Sequence, residues 1–176
     1  MRKAFIAAAL GVFLSLAAGF VYAEDMVIQM NLLTDQGVGK SIGTVTVKDT
    51  QSGLLLIPQL TDLAPGIHGF HVHQNADCAV GMKDNKPMAG MAAGGHYDPT
   101  GTGKHEGPYG QGHLGDLPAL FVGADGKATL SVLAPRLKTG DLKGRALMIH
   151  AGGDNYSDSP AALGGGGARA ACGVIK

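Results

Sequence analysis

Histidines are the residues of this sequence best suited to carry chemistry. His71 and His73 are separated by one residue within a strand-like run, so their imidazoles point to the same face and can converge on one metal ion. His150 ends a second strand-like run and could join them. The pattern predicts a site with nitrogen donors from two strands.

A second group of metal-binding side chains lies in one glycine-rich segment. His96, His105, His113 and Asp116 follow one another with the spacing H-x8-H-x7-H-x2-D. Three neutral imidazoles and one carboxylate form the closed tetrahedral set that zinc prefers. The alternative is that these are solvated polar loop residues. A structural zinc domain would also leave the histidines of the first group unexplained.

The elements that must position these groups are short apolar runs separated by turn residues. Helical periodicity is hard to find, whereas alternation and turn signals recur along the chain. The pattern predicts an antiparallel sandwich or barrel of about eight strands. The strand-like runs are residues 26–33, 41–48, 54–60, 67–73, 119–122, 128–133, 145–150 and 170–175.

Two glycine-rich stretches interrupt this rhythm. Residues 74–116 show almost no alternation, and residues 151–168 contain four consecutive glycines, Gly164 to Gly167. Loops of such length in a compact domain are usually functional or disordered. Because the four glycines lie between strand-like runs, they do not indicate a linker, and we expect one domain over residues 24–176.

The N-terminus has the features of a targeting segment. Arg2 and Lys3 precede an apolar run over residues 4–20, and Val21-Tyr22-Ala23 places small residues at the −3 and −1 positions of a cleavage site. The pattern predicts a secretory signal peptide over residues 1–23, cleaved after Ala23. The alternative is an uncleaved membrane anchor. With no second apolar run of this length, we expect no stable membrane association after cleavage.

Removal of the signal peptide changes the charge and the expected state of the cysteines. The whole chain carries 14 basic and 14 acidic residues, and loss of Arg2 and Lys3 leaves 12 and 14, a net charge of −2. This balance does not favour nucleic-acid binding. Cys78 and Cys172 are the only cysteines, and in an oxidising compartment we expect them to form a disulfide.

Four motifs give the sequence a family resemblance. They are GFHVH at residues 69–73, GGHYDP at 94–99, GHLGD at 112–116 and RAACGVI at 169–175. Together they resemble copper/zinc superoxide dismutase, in its bacterial exported branch. The resemblance implies an all-β fold, an eight-stranded Greek-key, immunoglobulin-like sandwich or flattened barrel with two long functional loops. It also implies a periplasmic location.

The resemblance implies a role for each candidate residue. His96 would bridge one copper and one zinc ion per chain, Asp154 would hydrogen-bond one ligand histidine from each metal site, and Arg169 would attract the substrate anion. The implied copper ligands are His71, His73, His96 and His150, and the implied zinc ligands are His96, His105, His113 and Asp116.

The implied reaction is the dismutation of superoxide to dioxygen and hydrogen peroxide. Copper would be alternately reduced and reoxidised, and His96 would release copper and take up a proton, while zinc would tune the site without redox chemistry. The competing hypothesis is an exported copper-binding or copper-delivery protein without turnover. Such a protein would need neither Arg169 nor a bridging His96 with a complete zinc set, so the full set favours the enzyme.

The sequence departs from the family pattern in the charges that would guide superoxide. Residues 151–168 contain only Asp154 and Asp158 as charges, whereas the longer stretch between Cys78 and His96 contains Lys83 and Lys86. We expect these lysines to help steer superoxide; the alternative is that they are solvated loop charges.

Two further features receive no single assignment. His68 matches no ligand position, so it is a structural or a surface residue, and on an ideal strand it would face away from His71. The family resemblance is compatible with a monomer and with a homodimer.

Overall fold

The structure is a computed structural model that describes residues 25–176, so the predicted signal peptide lies outside it. Within this range it contains three short 3-10 helices, Met91–Ala93, Thr139–Leu142 and Ala162–Gly165, and no α-helix. No helix among these residues has the length and apolar character needed to cross a membrane. The strands are β1 (Met26–Thr34), β2 (Gly37–Thr50), β3 (Gly53–Leu60), β4 (Gly66–His68), β5 (Phe70–His73), β6 (Gly81–Lys83), β7 (Lys86–Met88), β8 (Leu120–Val122), β9 (Val132–Ala134), β10 (Arg145–His150) and β11 (Arg169–Ile175).

Seven strands form a curled antiparallel sheet in the order β5-β10-β11-β1-β2-β3-β9, and β4 pairs with β8. Only Gly69 separates β4 from β5, so these two segments form one continuous strand. This strand connects the β4–β8 pair to the seven-stranded sheet. Counted in this way, the fold has eight main strands. Consecutive strands β3 and β4, and β9 and β10, are not neighbours in the sheet order, which is the crossing pattern of a Greek key. The predicted all-β Greek-key fold is confirmed.

The core forms because apolar residues alternate along the strands. In β1, Ile28 and Met30 are buried while Val27 and Gln29, the residues that precede them, are exposed, which is the period of two expected for a strand with one buried face. The same alternation continues in β2 and β3. One cluster of buried side chains results, and its largest fully buried members include Phe70, Leu54, Leu56, Leu60, Leu117, Leu120, Leu137, Leu142 and Leu147.

The segment 74–116 is more ordered than its composition suggests. Strands β6 and β7 form a hairpin in it, and the two turn residues, Asp84 and Asn85, have φ of 52° and 61°. Positive φ at both central positions is typical of a type I′ turn, which asparagine and aspartate tolerate. Residues 81–88 therefore form regular structure although their sequence shows no alternation. Strand β9 is also shorter than the predicted run 128–133.

The predicted disulfide is confirmed. Cys78 and Cys172 are bonded, with 5.8 Å between their Cα atoms. Cys172 lies on β11 opposite Met148 of β10, and Cys78 lies in the segment that follows β5. The disulfide therefore attaches the start of the long segment 74–116 to the centre of the sheet.

Candidate metal centre

Strand register brings the first group of histidines together. His71 and His73 on β5 lie opposite Met148 and Ala146 of β10, and both side chains are buried. His150 ends β10, where the pairing with β11 shifts register, and its Nε2 lies 3.4 Å from His73 Nε2. Ligand nitrogens of His71, His73, His96 and His150 all lie within 4.8 Å of one another.

The second group surrounds Asp116. Its Oδ1 lies 2.9 Å from His96 Nδ1 and its Oδ2 lies 3.0 Å from His105 Nδ1. His113 Nδ1 is 3.4 Å from Oδ1 of the same carboxylate. Ligand atoms of His71, His96, His105 and Asp116 also lie within 4.8 Å of one another. The structure thus brings three of the four predicted zinc ligands into one tight group, adds His71 to it, and places His113 beside Asp116 but outside that group.

His71 and His96 join the two groups. Single antiparallel β-bridges of the backbone pair His71 with Asp116 and His73 with His96. The segment that carries His96 and Asp116 therefore lies alongside β5. The ring centroids of His71 and His96 are 3.9 Å apart. The two groups therefore form one continuous cluster of side chains.

Four atoms in this cluster indicate that it binds cations. His71 Nδ1, His105 Nδ1, His113 Nδ1 and Asp116 Oδ2 are buried and have no hydrogen-bond partner. Buried polar atoms are nearly always hydrogen-bonded, and binding of an ion is one of the few explanations for exceptions. Imidazole suits both copper and zinc, and a carboxylate beside imidazoles suits zinc. The residues present therefore fit a copper and a zinc ion.

Asp154 orients one histidine of each group. Its Oδ2 accepts a hydrogen bond from His71 Nε2 at 2.7 Å, and its Oδ1 accepts one from His105 Nε2 at 2.8 Å. Each ring then directs its Nδ1 toward the cluster, because the partner of one nitrogen fixes the tautomer of the other. A Cβ atom at Gly164 would collide with Asp154 Oδ1, so glycine is needed at this position for the close approach of Asp154.

Two backbone carbonyls hold the remaining copper-side rings. His73 Nδ1 donates to the carbonyl of Gly94 at 2.9 Å, and His150 Nδ1 donates to that of Gly167 at 3.2 Å. Both rings consequently present Nε2 to the cluster. These carbonyls belong to the two glycine-rich stretches, so each stretch supplies one acceptor.

Burial keeps most of these rings neutral and therefore able to bind a metal. It lowers the pKa of His96 to about 4 and that of His150 to about 3. Burial, followed by the charge of Arg169, lowers the pKa of His73 well below its ordinary value. Neutral imidazole is the ligand form, since a protonated ring nitrogen has no lone pair for a cation.

The carboxylates have the opposite effect on His105. Burial lowers the pKa of His105, but the adjacent carboxylates of Asp116 and Asp154 outweigh it and raise the pKa to about 9. For both aspartates, burial raises the pKa, but the neighbouring histidines, His105 first, hold it well below its ordinary value. Both carboxylates are therefore ionised at neutral pH, as ligands for cations must be.

Arg169 lies at the wall of a cavity that leads to the copper-side histidines. It begins β11, and its Nη1 and Nη2 donate to the carbonyls of Gly90 at 2.5 Å and Gly94 at 2.6 Å. Burial lowers its pKa to about 10, so it remains a cation at neutral pH. The cavity has a volume of about 510 Å³, and its lining includes His73, His96, His150, Arg169 and Lys83 but not Lys86.

His68 has a structural position. It is buried, its Nδ1 lies 2.7 Å from the carbonyl oxygen of His150, and its Nε2 lies 2.7 Å from that of Ala64. The expectation that it faces away from His71 assumes an ideal strand, whereas Gly69 interrupts the strand between them. Both residues can therefore be buried.

Sequence reasoning missed two residues that hold the zinc-side segment. Asp158 accepts a hydrogen bond from the backbone nitrogen of His105 at 2.8 Å. Arg136 donates to backbone carbonyls near His113. Neither residue belongs to a motif with recognisable spacing, and the only available signal was that Asp158 is one of two charges in residues 151–168.

Comparison with known proteins places the chain among named relatives. A family model described as copper/zinc superoxide dismutase (SODC) matches residues 41–175. The chain is 59% identical over 162 residues to superoxide dismutase [Cu-Zn] 2 of Salmonella typhimurium, covering 92% of this chain and 94% of that protein. It is 58% identical over 164 residues to superoxide dismutase [Cu-Zn] of Escherichia coli, covering 93% and 94%.

Solved structures give the same result. The Cu/Zn superoxide dismutase from Brucella abortus superposes with a TM-score of 0.85 at 52% identity, covering 87% of this chain and all of that chain (100%). The monomeric copper, zinc superoxide dismutase from Salmonella enterica superposes with a TM-score of 0.78 at 60% identity, with the same coverage, 87% and 100%.

Proposed function

Because the chain belongs to the copper/zinc superoxide dismutase family, we propose that its metal centre is the His-rich cluster described above. The enzyme converts superoxide to dioxygen and hydrogen peroxide and uses one copper and one zinc ion per chain. The observation that carries the proposal is the set of four buried ligand atoms that have no hydrogen-bond partner. The proposed ligands are His71, His73, His96 and His150 for copper, and His96, His105, His113 and Asp116 for zinc.

The two metals have different tasks. Copper, when bound, supplies the one-electron oxidation and reduction of superoxide, and zinc, which has no redox chemistry, holds and polarises its ligands. The protein must bring an anion to the centre, deliver protons and keep the ligand rings fixed. These tasks fall to residues of the chain itself.

Arg169 has the anion-binding role in this proposal. Bonds to the carbonyls of Gly90 and Gly94 use two of its five N–H donors and fix the guanidinium in the wall of the cavity. The remaining donors are available to a small oxyanion. With a net charge of −2 after signal removal, the chain as a whole does not attract an anion, so a fixed local cation is needed.

His96 has the proton-holding role. Its Nδ1 lies against Asp116 in the zinc group, so its other nitrogen, Nε2, is the one that can serve the copper group. A ring shared between two ligand groups can take up a proton at one nitrogen while the other keeps its partner. We assign His96 Nε2 as the atom that holds one of the protons needed for hydrogen peroxide.

The experiment that tests this assignment compares the wild-type chain with His96→Ala. Both proteins are loaded with copper and zinc, their metal contents are measured, and superoxide decay is followed by stopped flow. We expect the variant to fall to the rate of free copper. Two bound metals without dismutation above free copper in the wild type would overturn the proposed function. A wild-type rate in the variant, with both metals bound, would overturn only the role of His96.

We also propose that residues 1–23 are a signal peptide cleaved after Ala23, and that residues 24–176 form one domain in the periplasm. The charged start, apolar run and small residues before the cleavage site support this proposal. Expression of the full chain in a Gram-negative host, followed by cell fractionation and mass determination, tests it. A periplasmic protein that begins at Glu24 is expected; a membrane-bound protein of full mass would support an anchor instead.

The oligomeric state is open to a direct test. A monomeric relative from Salmonella enterica supports a monomer here, and a homodimer is the alternative. Sedimentation velocity of the metal-loaded protein at several concentrations distinguishes one chain from two.

A further inference from the structure

The ligand histidines differ in how the protein holds them. His96 directs its ring to both groups, and each of the other five has a ring nitrogen left for a protein contact. Four of these five use it: His71 and His105 donate to Asp154, His73 to Gly94 and His150 to Gly167. Within residues 25–176 no hydrogen bond reaches the ring of His113, which is the exception.

His113 is instead held through its backbone. Its backbone nitrogen donates to the carbonyl of Lys104 at 2.8 Å, and its own carbonyl accepts a hydrogen bond from Arg136 Nη2 at 2.6 Å. His113 is also the most exposed of the proposed ligands, at 7%, and its ligand atom lies outside both tight groups of ligand atoms. Its position therefore depends on how firmly the surrounding backbone is fixed.

Arg136 bonds both ends of this backbone segment at once. Its guanidinium makes three hydrogen bonds besides that to His113: Nη2 to the carbonyl of Gly107 at 3.1 Å, Nε to that of Pro108 at 3.0 Å and Nη1 to that of Gly112 at 3.1 Å. The backbone of Arg136 is itself held in place, because Arg136 follows β9 and precedes the buried Leu137.

We propose that Arg136 is a positioning residue for zinc, which holds His113 through the main chain as Asp154 and the glycine carbonyls hold the other rings. The planar guanidinium is suited to this task because its donors have fixed directions. Lysine has three donors on one flexible nitrogen and cannot reach four carbonyls spread over residues 107–113. The inference rests on the proposed function, since zinc is the ion that His113 would bind.

The physical consequence of losing Arg136 is local. Four carbonyls would lose their donor and turn to water, and the segment would sample conformations in which His113 is displaced. Loss of a contact that orients a ligand typically lowers metal affinity about 10- to 100-fold. We expect a loss of this size for zinc and a smaller one for copper, since none of the carbonyls that Arg136 binds belongs to a proposed copper ligand.

The test measures zinc affinity in copper-loaded full chain by competition with a chromophoric chelator. Arg136→Met is expected to weaken zinc binding about 10- to 100-fold, and Arg136→Lys, which keeps the charge, by an intermediate factor. Lys138→Met is the matched control, because Lys138 lies two residues from Arg136 and also donates to a backbone carbonyl, that of Thr50, but to none in residues 107–113. It should lower the melting temperature while zinc affinity changes less than about two-fold.

A spectroscopic measurement separates positioning from general stabilisation. Cobalt(II) bound in place of zinc reports ligand geometry through its visible absorption, and we expect a changed spectrum in Arg136→Met and an unchanged one in Lys138→Met. Wild-type zinc affinity in both Arg136 variants, or an equal loss in Lys138→Met, would overturn the proposal. If Arg136→Met does not fold, Arg136→Lys decides it by the same criteria. Failure of the wild-type chain to bind zinc would instead contradict the proposed function.

Discussion

The two halves of the metal centre are built by different means. On the copper side, His71, His73 and His150 lie on β5 and β10, where the ladder of backbone hydrogen bonds fixes their relative positions. On the zinc side, the ligands lie in the stretch 96–116, which contains no strand in the structure. Strand register therefore places one set of ligands, whereas the other set requires dedicated contacts from elsewhere in the chain.

Those dedicated contacts come from residues 151–168 and from Arg136. Asp154 binds the ring of His105, Asp158 accepts from its backbone nitrogen, and Arg136 donates to four carbonyls in residues 107–113. Each such bond contributes about 1 kcal/mol, or somewhat more where a charge is involved. The zinc half is thus held by a few individual hydrogen bonds, and loss of one of them should loosen the segment that it holds without destabilising the sheet.

The disulfide is the covalent connection between the two kinds of structure, and its removal should have the largest effect. It joins residues 94 apart in sequence, for which the chain-entropy model gives a stabilisation of about 4.7 kcal/mol as an upper value. In Cys78→Ala/Cys172→Ala we expect the free energy of unfolding to fall by several kcal/mol, up to about this amount. Urea unfolding of the metal-loaded proteins measures it.

Limited proteolysis of the same variant shows which segments of the chain become less stable when the disulfide is removed. Because the disulfide attaches the segment after β5 to β11, we expect faster cleavage within residues 74–95 and little change within β10 and β11. Uniformly faster cleavage along the chain would show that the strand half depends on the disulfide as much as the loop half does, which contradicts the distinction drawn above.

Removal of zinc should affect the loop half selectively. Zinc at a free concentration 100 times its Kd stabilises the bound form by about 2.7 kcal/mol, which corresponds to about 100-fold rarer opening of the segment that binds it. We expect selective chelation of zinc to raise amide hydrogen exchange in residues 96–116 by about this factor, measured by mass spectrometry. Strands β5 and β10 should change little, and equal acceleration there would show that zinc supports the sheet as well.

The same difference explains what the sequence could predict. Alternating apolar residues and the pair His71-His73 follow from a period of two, so eight strands and the copper-side face were predictable. The ligand spacing of the zinc side was recognisable as a pattern, but not the contacts that hold it. Strands β6 and β7 are three residues each, too short for alternation to be detected, although Asp84-Asn85 is a turn signal that could have indicated the hairpin.

The missed residues share a physical reason. Arg136 acts on the carbonyls of Gly107, Pro108, Gly112 and His113, and any residue has a carbonyl, so no sequence pattern marks the partners. His68 was ambiguous because it lies an odd number of positions before His71, and its burial depends on the interruption at Gly69, which only the backbone conformation reveals. Contacts between a side chain and distant main chain are therefore the part of this site that requires a structure.

The smallest expected effect concerns the loop-borne charges near the copper-side cavity. Lys83 and Lys86 face each other across the hairpin, but only Lys83 lines the cavity that contains Arg169. An exposed charge at such a position changes interaction energies by about 0.2–1 kcal/mol, so we expect Lys83→Gln to lower kcat/KM for superoxide about two-fold at low salt. Lys86→Gln is the matched control, with a smaller change.

Ionic strength decides whether the effect of Lys83 is electrostatic. Salt screens exposed charges beyond a Debye length of about 8 Å at physiological ionic strength, so the difference between wild type and Lys83→Gln should shrink as salt is raised. A difference that persists at high salt would indicate a change in the cavity wall rather than in attraction. Equal effects of the two substitutions would show that the hairpin acts through its overall charge, and that the position of Lys83 in the cavity has no special importance.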